Sequence, residues 1–287
     1  AVEVRILIIA NYFKMKGEIM ERIDFETALV EVAKLPMVKI DRELFLRKEL
    51  RNHYSKEVVD LAILHSPAYA GIKTTDIDRI AKNCIIAETR RVTIISAATG
   101  IPGGLAMIGT VSVDIMQYLG HLLRILQELI YLYGWQDLNL NESELDEETK
   151  NILTLFMGVM FGISGAVKAI NGIASLAANQ IAKKLPQKAL TKGTIYPIVK
   201  KTSQMIGAKM TKEIFANGVS KAVPVVGAVV SGSITFASFK PMAERLRRYL
   251  ASCEMADTSY YEMTRNEEFT DVDIDTITND IDDKESK

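Results

Sequence analysis

Three long runs without a charged residue constrain the fold of this 287-residue chain more than any other feature. They are 22, 17 and 18 residues long and cover 92–113, 151–167 and 222–239. A straight helix of about 22 residues would reach about 33 Å, roughly the thickness of a hydrocarbon core. The Gly-Ile-Pro-Gly-Gly segment at 100–104 interrupts the first run, and small residues are frequent in all three. We therefore expect apolar helical hairpins that pack together or dip into lipid, rather than straight membrane spans.

The rest of the chain has helical periodicity. Thr75 begins a capping-box-like sequence for a long helix to about Thr99, and a second apolar helix is expected from about Val113 to Tyr133. Proline is common at the first position of a helix, so Pro241 is expected to begin another. No segment alternates polar and apolar residues with hairpin turns, so a sheet is not expected. The predicted fold is all-α, a multi-helix bundle with Gly-rich apolar helical hairpins.

The chain divides by composition into three segments. Residues 1–75 form an N-terminal helical segment and 76–251 the main helical domain, with a possible subdivision at the acidic connector 137–148. Within that connector Ser143 is expected to cap the next helix. Residues 252–287 carry twelve acidic and three basic residues, and we expect this acidic tail to be disordered.

Cysteine and histidine content limits the chemistry. Two cysteines cannot form a disulfide framework, so a reducing compartment is expected, and three histidines leave little for a metal site. We expect no metal and no cofactor.

Residues 1–14 are apolar but have no basic region ahead of them, so they are not expected to act as a signal peptide.

A strong excess of positive charge lies between residues 165 and 251. Fourteen Lys and Arg residues there face only two glutamates. A basic, apolar body favours an anionic partner. Few aromatic residues are available for stacking, which favours an anionic phospholipid surface over nucleic acid. The alternative is a solvated basic face with no partner. The lipid-binding candidates are Lys183, Lys184, Lys188, Lys192, Lys200, Lys201, Arg245, Arg247 and Arg248.

The predicted helix at 113–133 carries one polar stripe on an otherwise apolar surface. At 100° per residue the stripe spans about 80° and consists of Asp114, Gln117, His121, Arg124 and Glu128. If the stripe is buried, Asp114, His121 and Arg124 could hold a phosphate or do acid–base work. The alternatives are the solvent-exposed edge of the helix or a structural hydrogen-bond network.

Small residues at four-residue spacing predict close helix packing, in lipid or in a protein core. The helix-packing candidates are Gly100, Pro102, Gly103, Gly104, Gly158 and Gly162. No phosphate-binding loop, nucleophile elbow or Cys-x-x-Cys is present in the sequence, which favours a non-enzymatic role.

Several of these segments resemble the EcsC family of bacterial proteins. The likeness is carried by 90–104, by 114–134 with its Tyr-Leu-Tyr-Gly end, and by the Ala-Val-Pro-Val-Val-Gly-Ala segment at 222–228, and it covers roughly 76–250. The resemblance implies a mainly helical, membrane-associated bacterial protein with no settled activity. It carries no catalytic residue over to this chain.

These features together predict a non-enzymatic protein bound to anionic phospholipid on the cytoplasmic face of a bacterial cell membrane. One alternative is a hydrolase acting on a lipid-like substrate. Another is a helical scaffold that partners a membrane transporter or a second copy of itself.

Overall fold

The computed structural model of the chain describes residues 25–99, 107–108, 111–138, 140, 145–178, 195–220 and 227–264. Within these residues the fold is an all-α bundle, as predicted. Its ten α-helices are α1 (Phe25–Ala33), α2 (Arg42–Leu50), α3 (Lys56–Leu64), α4 (Thr74–Thr99), α5 (Val113–Leu132), α6 (Glu147–Met160), α7 (Ser164–Ala178), α8 (Ile195–Ser220), α9 (Gly227–Ala251) and α10 (Thr258–Thr264).

Short elements join some of these helices. Two 3₁₀ turns, Pro36–Val38 and Glu254–Ala256, follow α1 and α9. Between α4 and α5, strand β1 (Met107–Ile108) pairs antiparallel with β2 (Val111–Ser112), and this two-residue ladder is the extent of β structure in the described residues.

Helix α5 is the centre of the bundle. It contacts α1, α2, α4, α6 and α9. Its apolar residues from Leu119 onward are buried on every side of the helix, which accounts for the nearly continuous apolar sequence around the polar stripe. The fully buried members are Leu119, Leu122, Leu123, Ile125, Leu126, Leu129, Ile130 and Tyr131.

A buried arginine ties the first helices to the end of α5. The Arg42 guanidinium donates to the carbonyl oxygens of Trp135 at 3.0 Å, Ile63 at 2.6 Å and His65 at 3.0 Å. Two of these carbonyls belong to the C-terminal end of α3, where helical partners are missing. Arg42 therefore satisfies polar groups that the helix itself leaves unpaired.

The second uncharged run, 151–167, lies largely inside the protein. Residues 151–161, in α6 and just after it, are all buried. The chain then turns at Gly162, whose φ of +71° favours glycine, and α7 packs back against α6. This hairpin therefore packs within the bundle, the first of the two arrangements expected for such runs. Most of the side chains of the other two runs lie outside the described residues.

Three local predictions are wrong. Pro241 does not begin a helix but lies inside α9, which packs along α4 over much of its length. Helix α6 is capped by Asp146, whose carboxylate accepts from the Thr149 amide at 2.6 Å, and not by Ser143. Residues 252–264 are ordered rather than disordered, because Tyr261 and the 3₁₀ turn before it bury apolar side chains against the body.

Three helices approach one another closely at Gly158. A Cβ atom there would lie 2.5 Å from both the Ala166 Cβ and the Thr202 Cγ2, atoms of α7 and α8. A Cβ at Gly165, by contrast, would meet only Ile198 Cγ2, at 3.7 Å. Glycine at 158 is therefore what allows α6, α7 and α8 to meet.

We predict that Gly158→Ala lowers the free energy of unfolding by about 1–3 kcal/mol, because the added methyl group forces neighbouring helices apart. Urea unfolding followed by circular dichroism measures the change. The matched control, Gly165→Ala, should be neutral or slightly stabilising, since its methyl group makes ordinary contacts. Equal stability of Gly158→Ala and the parent chain would contradict the packing described here.

Candidate functional site

A buried carboxylate joins α4 to the polar stripe of α5. Glu88 is fully buried in α4, and its Oε1 lies 2.6 Å from Nδ1 of His121. Its Oε2 accepts from Arg91 Nη1 at 2.7 Å, and Arg124 Nε is 3.6 Å from Oε1. Glu88 therefore has three basic neighbours from two helices.

These neighbours keep Glu88 ionised. Burial alone raises the pKa of a carboxyl group, because it penalises the charged form. Hydrogen bonds from His121 and Arg91, together with the nearby charge of Arg124, outweigh burial and lower the pKa of Glu88 below its usual value. The pair is thus a buried carboxylate hydrogen-bonded to an imidazole, an arrangement that orients the histidine ring.

Arg124 of the stripe, together with Gln127 outside it, fixes the 3₁₀ turn after α1. Arg124 donates to the Met37 carbonyl. Gln127 Nε2 donates to the Val38 carbonyl at 2.9 Å, and its Oε1 accepts from the Ile40 amide at 3.0 Å. His121 and Arg124 of the stripe, together with Gln127, therefore form a structural network that joins α5 to α4 and to the turn after α1.

Glu128 adds a second buried carboxyl group. Burial, and then the charge of Glu88, raise the pKa of Glu128 to about 7, while the positive charges of Arg124 and Arg91 oppose the rise. Two carboxyl groups close together in a poorly solvated region favour protonation of one of them. Here the protonated one is Glu128.

The structure brings together two of the three predicted catalytic candidates. His121 and Arg124 both meet Glu88, whereas the side chain of Asp114 lies outside the described residues. The predictions missed Glu88. Its position relative to the buried residues Ala81, Ile85 and Val92 places it on the apolar face of α4, and a helical projection of α4 would have identified it.

The predicted basic face is only partly available to a partner. Lys183, Lys184, Lys188 and Lys192 lie outside the described residues. Lys200, Lys201 and Arg248 are exposed.

Two other arginines of α9 have structural contacts, although Arg245 is also exposed. Arg245 donates to the Met160 carbonyl at the end of α6 and lies against Gly162. Arg247 is mostly buried and pairs with Asp78 and Glu244. Arg247 therefore does not contribute to an outward basic face.

The exposed part of α8 combines cations with large apolar groups. Tyr196 is 58% exposed and Met205 is 39% exposed, and both share the outer side of the helix with Lys200 and Lys201. The sequence from 195 to 212 contains no acidic residue. We call the exposed residues Tyr196, Pro197, Lys200, Lys201, Gln204, Met205 and Ala208 the α8 outer face.

The remaining predictions concern the helix-packing residues, metal ligands and membrane-spanning helices. Of the packing candidates, Gly158 and Gly162 are at the α6–α7 hairpin, whereas Gly100, Pro102, Gly103 and Gly104 lie outside the described residues. In the part of the chain that is described, no group of three His, Cys, Asp or Glu side chains is placed to hold a metal ion. No described helix has both the length and the hydrophobicity needed to cross a bilayer.

Comparison with protein-family models, curated proteins and solved structures finds no match. The EcsC resemblance therefore stays a prediction.

We predict that Glu128→Gln stabilises the protein at pH 8 but not at pH 4. Between its ordinary pKa of 4.5 and about 7, the unfolded chain releases this proton while the folded protein retains it. Stability contributed by the protonated group is therefore lost as the pH rises through this window, on the order of 3 kcal/mol in total. Replacement by neutral glutamine removes that loss.

Urea unfolding at the two pH values measures the difference. Glu262→Gln, at an exposed position of α10, is the control and should change stability little at either pH. If Glu128→Gln destabilises the protein at pH 8, the folded protein favours the charged carboxylate. That result would contradict the raised pKa of Glu128.

Proposed function

We propose that the protein binds anionic lipid surfaces peripherally through the α8 outer face. The observation that supports this most is the combination, on one exposed helix face, of Lys200 and Lys201 with Tyr196 and Met205 and without any acidic residue. Such a face matches both layers of a membrane interface. Ammonium groups attract anionic headgroups, and amphipathic or apolar side chains enter the boundary between headgroups and acyl chains.

Neighbouring helices extend the positive charge. Helix α8 contacts α7 and α9, which carry the exposed residues Lys168 and Arg248. Each lysine or arginine near an anionic leaflet contributes about 1 kcal/mol. A handful of them, together with one aromatic anchor, is enough for reversible peripheral binding.

The membrane location that this function implies is the inner face of a bacterial cell membrane, as the EcsC resemblance suggests. A transporter subunit or a second copy of the chain is the alternative protein partner at the same membrane. Neither is required for the binding proposed here.

Lys200→Ala/Lys201→Ala should weaken partition onto vesicles of phosphatidylcholine and phosphatidylglycerol by about 30-fold, because two cations are lost at about 1 kcal/mol each. Co-sedimentation at low and high salt measures the effect, and binding of the parent chain should fall as salt rises. Vesicles of phosphatidylcholine alone should bind the parent chain weakly.

The control is Arg51→Ala/Lys56→Ala, which removes the same charge from exposed positions just after α2 and at the start of α3. It should bind anionic vesicles like the parent chain. Equal loss in both double variants would mean that net charge, not the α8 outer face, governs binding. No binding of the parent chain to anionic vesicles would contradict the proposed function itself.

A further inference from the structure

The outward side of α4 carries cations and large apolar side chains together. Ile86 is 40% exposed and Ile94 is 68% exposed. Between residues 79 and 94 the one acidic residue is Glu88, which is buried. The two isoleucines and their exposed neighbours span about 140° of the helix, at 100° per residue. We call this set the α4 outer face, which consists of Arg79, Lys82, Ile86, Ala87, Arg90 and Ile94.

The α4 outer face has unmet needs of two kinds. Helix α4 packs against α5 and α9 through its other side, so the two isoleucines stay in solvent. Arg79 and Lys82 pair with acidic residues of their own helix. Arg90 lies between the isoleucines and has no ion-pair partner among the described residues. An occupant of this face therefore needs negative charge for Arg90 and apolar groups for Ile86 and Ile94.

The C-terminal segment of the chain, 265–287, has this composition. It lies outside the described residues. It contains nine acidic and three basic residues, a net charge of −6. Apolar residues are interspersed among the acids, namely Phe269, Val272, Ile274, Ile277 and Ile281. The segment therefore complements the α4 outer face in both charge and apolar character.

The described chain ends beside the start of α4. The Thr74 hydroxyl group donates to the Ala256 carbonyl at 2.5 Å. The ring of Tyr261 lies 5.6 Å from that of Tyr69, just before α4. The 23 residues after Thr264 can extend up to about 76 Å, whereas the stretch of α4 from 79 to 94 is about 22 Å long. The segment therefore begins near this face and is long enough to cover it.

We propose that residues 265–287 dock on the α4 outer face of the same chain, with carboxylates against Arg79 and Arg90 and apolar side chains against Ile86 and Ile94. Attachment to the same chain favours such docking, because it gives the segment a high effective concentration at the face. The docked segment covers the cations of α4 and leaves those of the α8 outer face exposed. The proposal does not rest on lipid binding, and its test contains no lipid.

Disulfide trapping in the full chain measures this docking. Ala87→Cys on α4 is combined with Thr276→Cys, in a Cys253→Ser background, and the remaining native Cys84 is buried. The comparison pair is Ala208→Cys, on the α8 outer face, with Thr276→Cys. Under mild oxidation the α4 pair should form its disulfide at least about tenfold faster than the α8 pair, because docking concentrates its two thiols.

Removal of two arginines tests the role of charge. Arg79→Ala/Arg90→Ala should slow trapping of the α4 pair about fivefold, the size expected for two exposed ion pairs. Rising salt should slow it as well. The matched control, Lys200→Ala/Lys201→Ala, removes the same charge from the α8 outer face and should leave the rate unchanged. Each rate is divided by the reactivity of the same thiols toward a small neutral disulfide, because a nearby arginine lowers the pKa of a cysteine.

Other results would overturn the proposal. Equal rates for the two pairs would mean that the segment prefers neither face, and a faster α8 pair would place it on the α8 outer face. Disulfide-linked dimers in place of bridged monomers would show that the segment binds a second copy of the chain. A rate that responds to neither salt nor Arg79→Ala/Arg90→Ala would exclude pairing of the segment with the arginines of α4.

Discussion

A carboxylate buried inside a helical bundle is tolerated only when it is hydrogen-bonded and neutralised, and Glu88 meets this condition through His121, Arg91 and Arg124. Because those partners come from both α4 and α5, the requirement fixes how the two helices face each other. Arg124 extends the same network to the turn after α1. The relative placement of α4, α5 and the turn after α1 thus depends on one ionised group.

Polar side chains inside the bundle have a different role from those on its surface. Inside, α5 is surrounded by other helices, and its polar side chains make hydrogen bonds to α4 and to the turn after α1. Outside, the α8 outer face presents cations and apolar groups together. Arg247 shows why sequence position alone does not assign a cation to one role, since it belongs to the basic region but is mostly buried and pairs with Asp78 and Glu244.

Local periodicity predicted the helices well, because helix formation depends on residues three and four apart. The expected helices at 75–99 and 113–133 correspond to Thr74–Thr99 and Val113–Leu132. Contacts between distant segments were not predictable in this way. The pairing of Arg247 with Asp78 spans 169 residues, and that of His121 with Glu88 spans 33. Pro241 was misassigned for the same reason, since packing of α9 along α4 overrides its local tendency to begin a helix.

A double-mutant cycle on Glu88 and His121 measures whether this pair joins α4 to α5. Either Glu88→Leu or His121→Leu alone leaves a buried polar partner unpaired, whereas the double variant removes both groups. Measured by urea unfolding, the double variant should be at least about 2 kcal/mol more stable than it would be if the two single effects simply added. Simple additivity of the two effects would contradict it.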